Sequence, residues 1–261
     1  MFCVTVILFK LLLVIEGIQI NYIKVPPAVQ NNTDQSVILE CNYSIRPDDS
    51  ELVVKWYLND AVVYQWIPPH KPQALGIMKD RVNLSYVSSD DPKMAYRSMQ
   101  IINPTTNIAG EYKCFVSTFT DEDFSMKSMI VFVPEKSLEL FHSGHTNQKI
   151  NFTCTATEVY PEPKLTVFKD KKDEFENRNY LQAVEWSTSR LPTGRYSVTI
   201  TTSILLNKIA AGSLVHCELK IPGTGYVKRK SMLYYPPKSI HYMQRHRKQL
   251  CLLLLTCLCF V

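Results

Sequence analysis

Glycine is scarce in this chain: 8 residues among 261, against 15 prolines. That excludes a collagen-like repeat. A hydrophobic share of 46% excludes a disordered chain, which could not bury enough apolar surface to offset its ordering entropy. No Cys-x-x-Cys pair occurs, so zinc binding and thiol redox chemistry have little support. Gly-x-Ser-x-Gly, His-Glu-x-x-His, a phosphate-binding loop and a setting of paired carboxylates are all missing. The chain reads as a non-enzyme without a cofactor. No long amphipathic helical pattern is found either, and the hydrophobic runs are short and sit at the two ends.

The first of these runs covers Met1–Ile15 and ends in Glu16-Gly17. It reads as a secretory signal, residues 1–17, with an uncleaved N-terminal anchor as the alternative. The second, Leu250–Val261, follows Arg245, Arg247 and Lys248. At about 1.5 Å per residue it reaches only ~18 Å, short of the ~30 Å hydrocarbon core of a bilayer. A polar spacer followed by a short apolar tail is the arrangement of a GPI-attachment signal, read here over 237–261 with Ser239 as the attachment residue. A marginal stop-transfer segment and an unprocessed secreted tail are the alternatives. The expected location is the extracellular face of the plasma membrane, or the medium. The formal charge of +5 falls to about +2 once the signal and the three cations after Ser239 are set aside. Four of the 8 cysteines also lie in these ends. Cys41, Cys114, Cys154 and Cys217 remain, and an even four in a secreted chain reads as two disulfides.

Between the ends runs a series of short β-type segments. They are Ser36–Tyr43, Leu52–Tyr57, Ala61–Trp66, Val82–Val87, Tyr96–Ile101, Gly110–Ser117 and Met126–Val133. A second set follows from Ser137 to Tyr234. Short strands at this spacing predict an all-β sandwich architecture rather than an α/β enzyme. Two units are expected, over 18–134 and 135–236. The junction at Pro134-Glu135 is too short for a free hinge, which places them end to end.

In the first unit Cys41 is followed by Trp56 and then by Tyr112-Lys113-Cys114. This conjunction resembles a variable-type immunoglobulin domain. It implies an inter-sheet disulfide from Cys41 to Cys114, a Trp packed on it and a tyrosine corner. Ile108 stands where that family usually has an Asp, leaving Arg81 without its usual ion-pair partner. In the second unit Cys154-Thr-Ala156 and Val159-Tyr160-Pro161-Glu162-Pro163 resemble a constant-type domain, which implies a Cys154–Cys217 bridge. Phe168 is read as taking the Trp position and Val215 the corner position. The fold class is therefore all-β, two tandem immunoglobulin-like antiparallel β-sandwiches. Lys24–Val29 and Val54–Tyr57 further resemble the arthropod beaten-path type of two-immunoglobulin neuronal proteins. That resemblance implies cell-surface recognition in axon guidance or synaptic partner choice, through another immunoglobulin-superfamily receptor. A freely secreted ligand, antagonist or immune-recognition protein is the alternative.

Asn31, Asn42, Asn83 and Asn151 begin N-glycosylation sequons, whereas Asn103 is followed by proline. His142 and His145 read as a solvated turn, Asp121–Asp123 as an acidic loop and Lys169–Glu176 as a solvated edge. The alternating cations Lys228, Arg229 and Lys230 offer a weak polyanion contact; secretion argues against nucleic acid. If alternation holds, Lys55, Tyr57, Tyr64, Trp66, Lys113 and Phe115 share one outward face. Aromatics around cations on a flat surface suit the extracellular domain of another cell-surface protein. Packing of Tyr64 or Trp66 beneath the loop that follows them is the alternative.

Overall fold

The computed structural model describes residues 17–146, 148–170 and 178–236. The first nine strands are β1 (Gln19–Lys24), β2 (Ala28–Gln30), β3 (Val37–Ser44), β4 (Val53–Leu58), β5 (Ala61–Trp66), β6 (Gln73–Ala74), β7 (Met99–Ile101), β8 (Gly110–Ser117) and β9 (Glu122–Phe132). They form a sheet β1-β3-β7 facing a sheet β2-β9-β8-β4-β5-β6, with β2 parallel to β9. Alternation builds the core. β3 turns Val37, Leu39, Cys41 and Tyr43 inward, and β8 turns Tyr112, Cys114 and Val116 toward them. Trp56 is fully buried beside the Cys41–Cys114 bridge, whose Cα atoms are 6.3 Å apart. Burying each such large side chain contributes roughly 1.5–3 kcal/mol. The Tyr112 hydroxyl donates to the Ile108 carbonyl at 2.7 Å, closing the tyrosine corner.

Asn59 and Asp60, both at positive φ, make the tight hairpin between β4 and β5. Gly110, at φ +152°, lies against the Asn59 side chain; a Cβ there would come within 2.4 Å of it. The expected strand Val82–Val87 does not form: Val82 makes a single bridge to Ile101. Beyond it the Asn83 side chain accepts the Ser85 N–H at 3.1 Å and turns the chain, a local bond that competes with a ladder.

The second set comprises β10 (Ser137–Thr146), β11 (Lys149–Val159), β12 (Lys164–Asp170), β13 (Arg178–Tyr180), β14 (Ala183–Arg190), β15 (Tyr196–Leu205), β16 (Ser213–Lys220) and β17 (Val227–Tyr234). Sheets β10-β11-β15-β14 and β13-β12-β16-β17 enclose a separate core around Cys154–Cys217, with Cα atoms 6.1 Å apart. Phe168 does not take the expected Trp position against the disulfide. Val167 pairs opposite Cys217, while Phe168 pairs opposite His216 and stacks on its ring at 4.9 Å. Opposed residues share a face, so Val167 faces the disulfide and Phe168 lies on the other side of the sheet. The expected histidine turn is also absent, because His142 and His145 both fall within β10 around a bulge. His142 meets the rings of Phe152 and Tyr234.

Core membership changes between Val131, in the first cluster, and Phe132, in the second. Val133 and Tyr160 exchange backbone bonds of 2.7 and 3.0 Å, and the Phe132 ring lies 5.5 Å from Tyr226. Tyr226 donates to Glu135 Oε2 at 3.0 Å. Burial first, then the bond to Glu135, pushes its phenol up to about 12. Gly223, at φ +75°, leaves room for Ile130 Cδ1, which would sit 2.7 Å from a Cβ. The two sandwiches are thus joined through packed side chains as well as through the chain.

Candidate partner-binding face

The inner side of β4, β8 and β9 is committed to the core, so the residues between core positions point outward. Lys55 lies opposite Phe115, and Tyr57 opposite Lys113. Phe115 in turn lies opposite Phe124, and Lys113 opposite Met126. Tyr57 and Phe115 meet edge to face at 6.4 Å. Lys113 Nζ sits 4.6 Å over the Tyr57 ring, 5.9 Å from the Phe124 ring and 3.7 Å from Asp60 Oδ1. A cation–π contact at such exposure contributes about 0.5–1 kcal/mol, enough to hold the lysine across the aromatic surface. Phe124 is 55% exposed and Met126 46%. Phe119, 75% exposed, stands at the tip of the β8–β9 hairpin, which closes with a Thr118 N–H bond to Asp121 O. The result is a continuous face of four apolar side chains around two lysines.

Two residues expected on this face are inside the protein. Tyr64 pairs opposite Trp56 and Trp66 opposite Val54, so both share the buried side of the sheet. A register shift between Trp56 and Tyr57 sets this phase. Tyr64 is 1% exposed and donates to the Tyr96 carbonyl at 2.9 Å; burial pushes its phenol far above its ordinary range. Trp66 is 2% exposed, donates to the His70 carbonyl at 3.0 Å and meets the Tyr96 ring at 5.7 Å. The packing alternative is thus the arrangement found. Phe124 and Met126 take their place on the face. Their signal was the period-two pattern Glu122, Phe124, Met126, Ser128, hidden because Asp121–Asp123 read as a loop and the strand as starting at Met126.

The other singled-out groups have local roles. Asp121 accepts the Ile18 N–H at 3.2 Å and Asp123 the Ile20 N–H at 2.6 Å, tying β1 to the start of β9. Arg81 turns to the neutral acceptors Thr105 Oγ1 and Asn107 Oδ1, while Ile108 fills core. Arg229 donates to the buried Glu218 at 2.7 Å and lies 5.3 Å over Phe168, so it is not a free contact for a polyanion. Lys169–Glu176 falls largely outside the described residues, and Ser239 wholly so. Asn42 is on the outer side of β3, Asn83 beside β7, Asn31 in the turn after β2 and Asn151 on β11. None is on the exposed side of β4, β5, β8 or β9. Among the described residues no helix is long and apolar enough to cross a membrane.

A family model described as a CD80-like C2-set immunoglobulin domain matches residues 133–225. T-lymphocyte activation antigen CD86 of Oryctolagus cuniculus is 26% identical over 184 residues, covering 67% of this chain and 53% of that protein. The chain therefore spans about half the length of that relative. The crystal structure of bovine butyrophilin aligns with a TM-score of 0.60 at 15% identity, covering 81% of this chain and 96% of that one, a likeness of fold. Neither match is to a beaten-path-type protein. With two disulfide-pinned sandwiches and the tyrosine corner, the chain has the immunoglobulin fold, and its second sandwich is similar to the C2-set immunoglobulin domains.

Proposed function

We propose that this is a cell-surface recognition protein whose outer β4–β8–β9 face binds the extracellular domain of another protein. The observation that carries this is the face itself: Phe124 and Met126 exposed beside the half-buried, outward-facing Tyr57 and Phe115, around Lys55 and Lys113, on a sheet surface free of sequons. Large aromatic and Met side chains in a shallow cluster are the composition of binding hot spots. Glycans at Asn42, Asn83 and Asn151 would shield other faces and leave this one open. In this reading 1–17 is a removed signal and 18–134 and 135–236 are recognition modules. Residues 237–261 then carry a GPI-type signal attached through Ser239. The beaten-path-type resemblance supports a role in axon guidance or synaptic partner choice. The similarity to CD86 supports a second setting, an immune-recognition ligand or secreted antagonist using the same face. The test is a pairwise screen of residues 18–236 against extracellular receptor domains of the same organism. Each hit is repeated with Lys113→Glu, which removes the cation from the centre of the aromatic cluster. Loss of the hit supports the face; hits that all survive refute it. Release of the protein from cells by a phosphatidylinositol-specific phospholipase separates the anchored from the secreted form.

A further inference from the structure

The turn that follows β2 meets the second sandwich across a cleft of about 370 Å3. That volume lies within the ~300–1,000 Å3 of sites that hold small organic ligands. One wall is Thr106 and Asn107 of the first sandwich; the other is Tyr160 with Arg190, Thr193 and Arg195 of the β14–β15 hairpin. Asn31 lines the same cleft. Its Oδ1 accepts the Thr106 N–H at 3.2 Å, which fixes the amide plane. Its Nδ2, the atom to which an N-linked glycan attaches, makes no hydrogen bond among the described residues. Hydroxyls, an amide, two guanidinium groups and one aromatic ring are the groups that recognise a saccharide. They offer donors and acceptors for its hydroxyl and acetamido groups, and a flat apolar surface for a ring face.

We propose that this cleft is the docking site for the first sugars of a glycan carried by Asn31 itself. It rests on the reading of Asn31-Asn32-Thr33 as an occupied sequon. Attachment at the cleft wall holds the sugar at an effective concentration in the millimolar range, so weak individual contacts suffice to seat it. The seated sugar bridges the Thr106-Asn107 turn of one sandwich to the Thr193–Arg195 hairpin of the other and braces the junction. Asn83 offers the contrast. It is exposed, in a loop, and its Nδ2 donates to Gln100 Oε1 at 2.7 Å.

The experiment uses the full chain made in a secretory cell line. Occupancy of each sequon is read by peptide mass spectrometry, and then the native protein is treated with a peptide N-glycosidase over time. The expected result is an occupied Asn31 whose glycan is released at least about tenfold more slowly than that of Asn83, the factor for ~1.4 kcal/mol of docking. Arg190→Ala with Thr193→Ala, both at exposed positions, should bring release at Asn31 close to that at Asn83 without moving the melting temperature. An unoccupied Asn31 beside an occupied Asn83 overturns the proposal and leaves the partner face untouched. Release at Asn31 as fast as at Asn83, or slow release unaffected by the double substitution, overturns it as well.

Discussion

Tyr64 and Phe115 were expected together on the partner face, and the structure separates them into opposite experiments. Tyr64→Ala removes a fully buried aromatic side chain, which costs about 3–5 kcal/mol in a core. Tyr64→Phe isolates the hydroxyl: it leaves the Tyr96 carbonyl without its 2.9 Å donor, a loss of about 1–3 kcal/mol. Phe115→Ala removes an outward ring whose ring contact is the edge of Tyr57, and about 1 kcal/mol or less is at stake. In a domain of this size each kcal/mol moves the melting temperature by roughly 3–6 °C. Tyr64→Ala should therefore lower the first sandwich's transition by roughly 10–30 °C, Tyr64→Phe by a part of that, and Phe115→Ala by a few degrees at most. Differential scanning calorimetry, with near-UV circular dichroism to assign the transition, measures all three. A Tyr64→Ala protein melting with the parent, or a Phe115→Ala protein melting far below it, would refute the assignment of faces.

Tyr112→Phe deletes the 2.7 Å bond to Ile108 O and should cost about 1–3 kcal/mol in denaturant unfolding without changing the partner-face residues. Tyr226 contributes stability that is complete below the ordinary phenol value of 10.0 and lost as pH rises toward about 12. Ultraviolet titration should show one phenol near 12 that vanishes in Tyr226→Phe, leaving the still later phenols of Tyr43, Tyr64 and Tyr112. At Glu158 the bond from Lys136, opposed by desolvation and aided by Arg195, holds the carboxyl below its ordinary 4.5. A depressed carboxylate stabilises fully above that value and loses the contribution as pH falls below it. Glu158→Gln should therefore flatten the acid side of the stability profile; an unchanged profile contradicts the pairing.

The fold was legible because its signals are local or fixed in spacing. Alternation around Cys41 and Cys114 names inward residues directly, and Trp56 with Tyr112 supplies the rest of a sandwich signature. Phase was not legible where it depends on pairing. Nothing in Ala61–Trp66 reveals the register shift at Tyr57, so Tyr64 and Trp66 read as outward aromatics until their partners Trp56 and Val54 are known. Adjacent apolar residues are ambiguous for the same reason, and Val167 rather than Phe168 faces the second disulfide. Phe124 was obscured by acidic neighbours that serve as acceptors for β1. The cleft beside Asn31 is a tertiary feature, made by residues 75 and more positions away in the chain.

In the proposed reading the outer β4–β8–β9 face meets the partner. Met126→Asn tests it most directly, because with Lys127 and Ser128 the change completes a sequon at a 46% exposed position in the middle of that face. The expected product is a glycosylated protein that melts with the parent and binds the partner found in the screen at least ~30-fold more weakly, the factor for a hot spot of ~2 kcal/mol. A protein that carries the glycan, melts normally and binds with unchanged Kd would place the partner elsewhere.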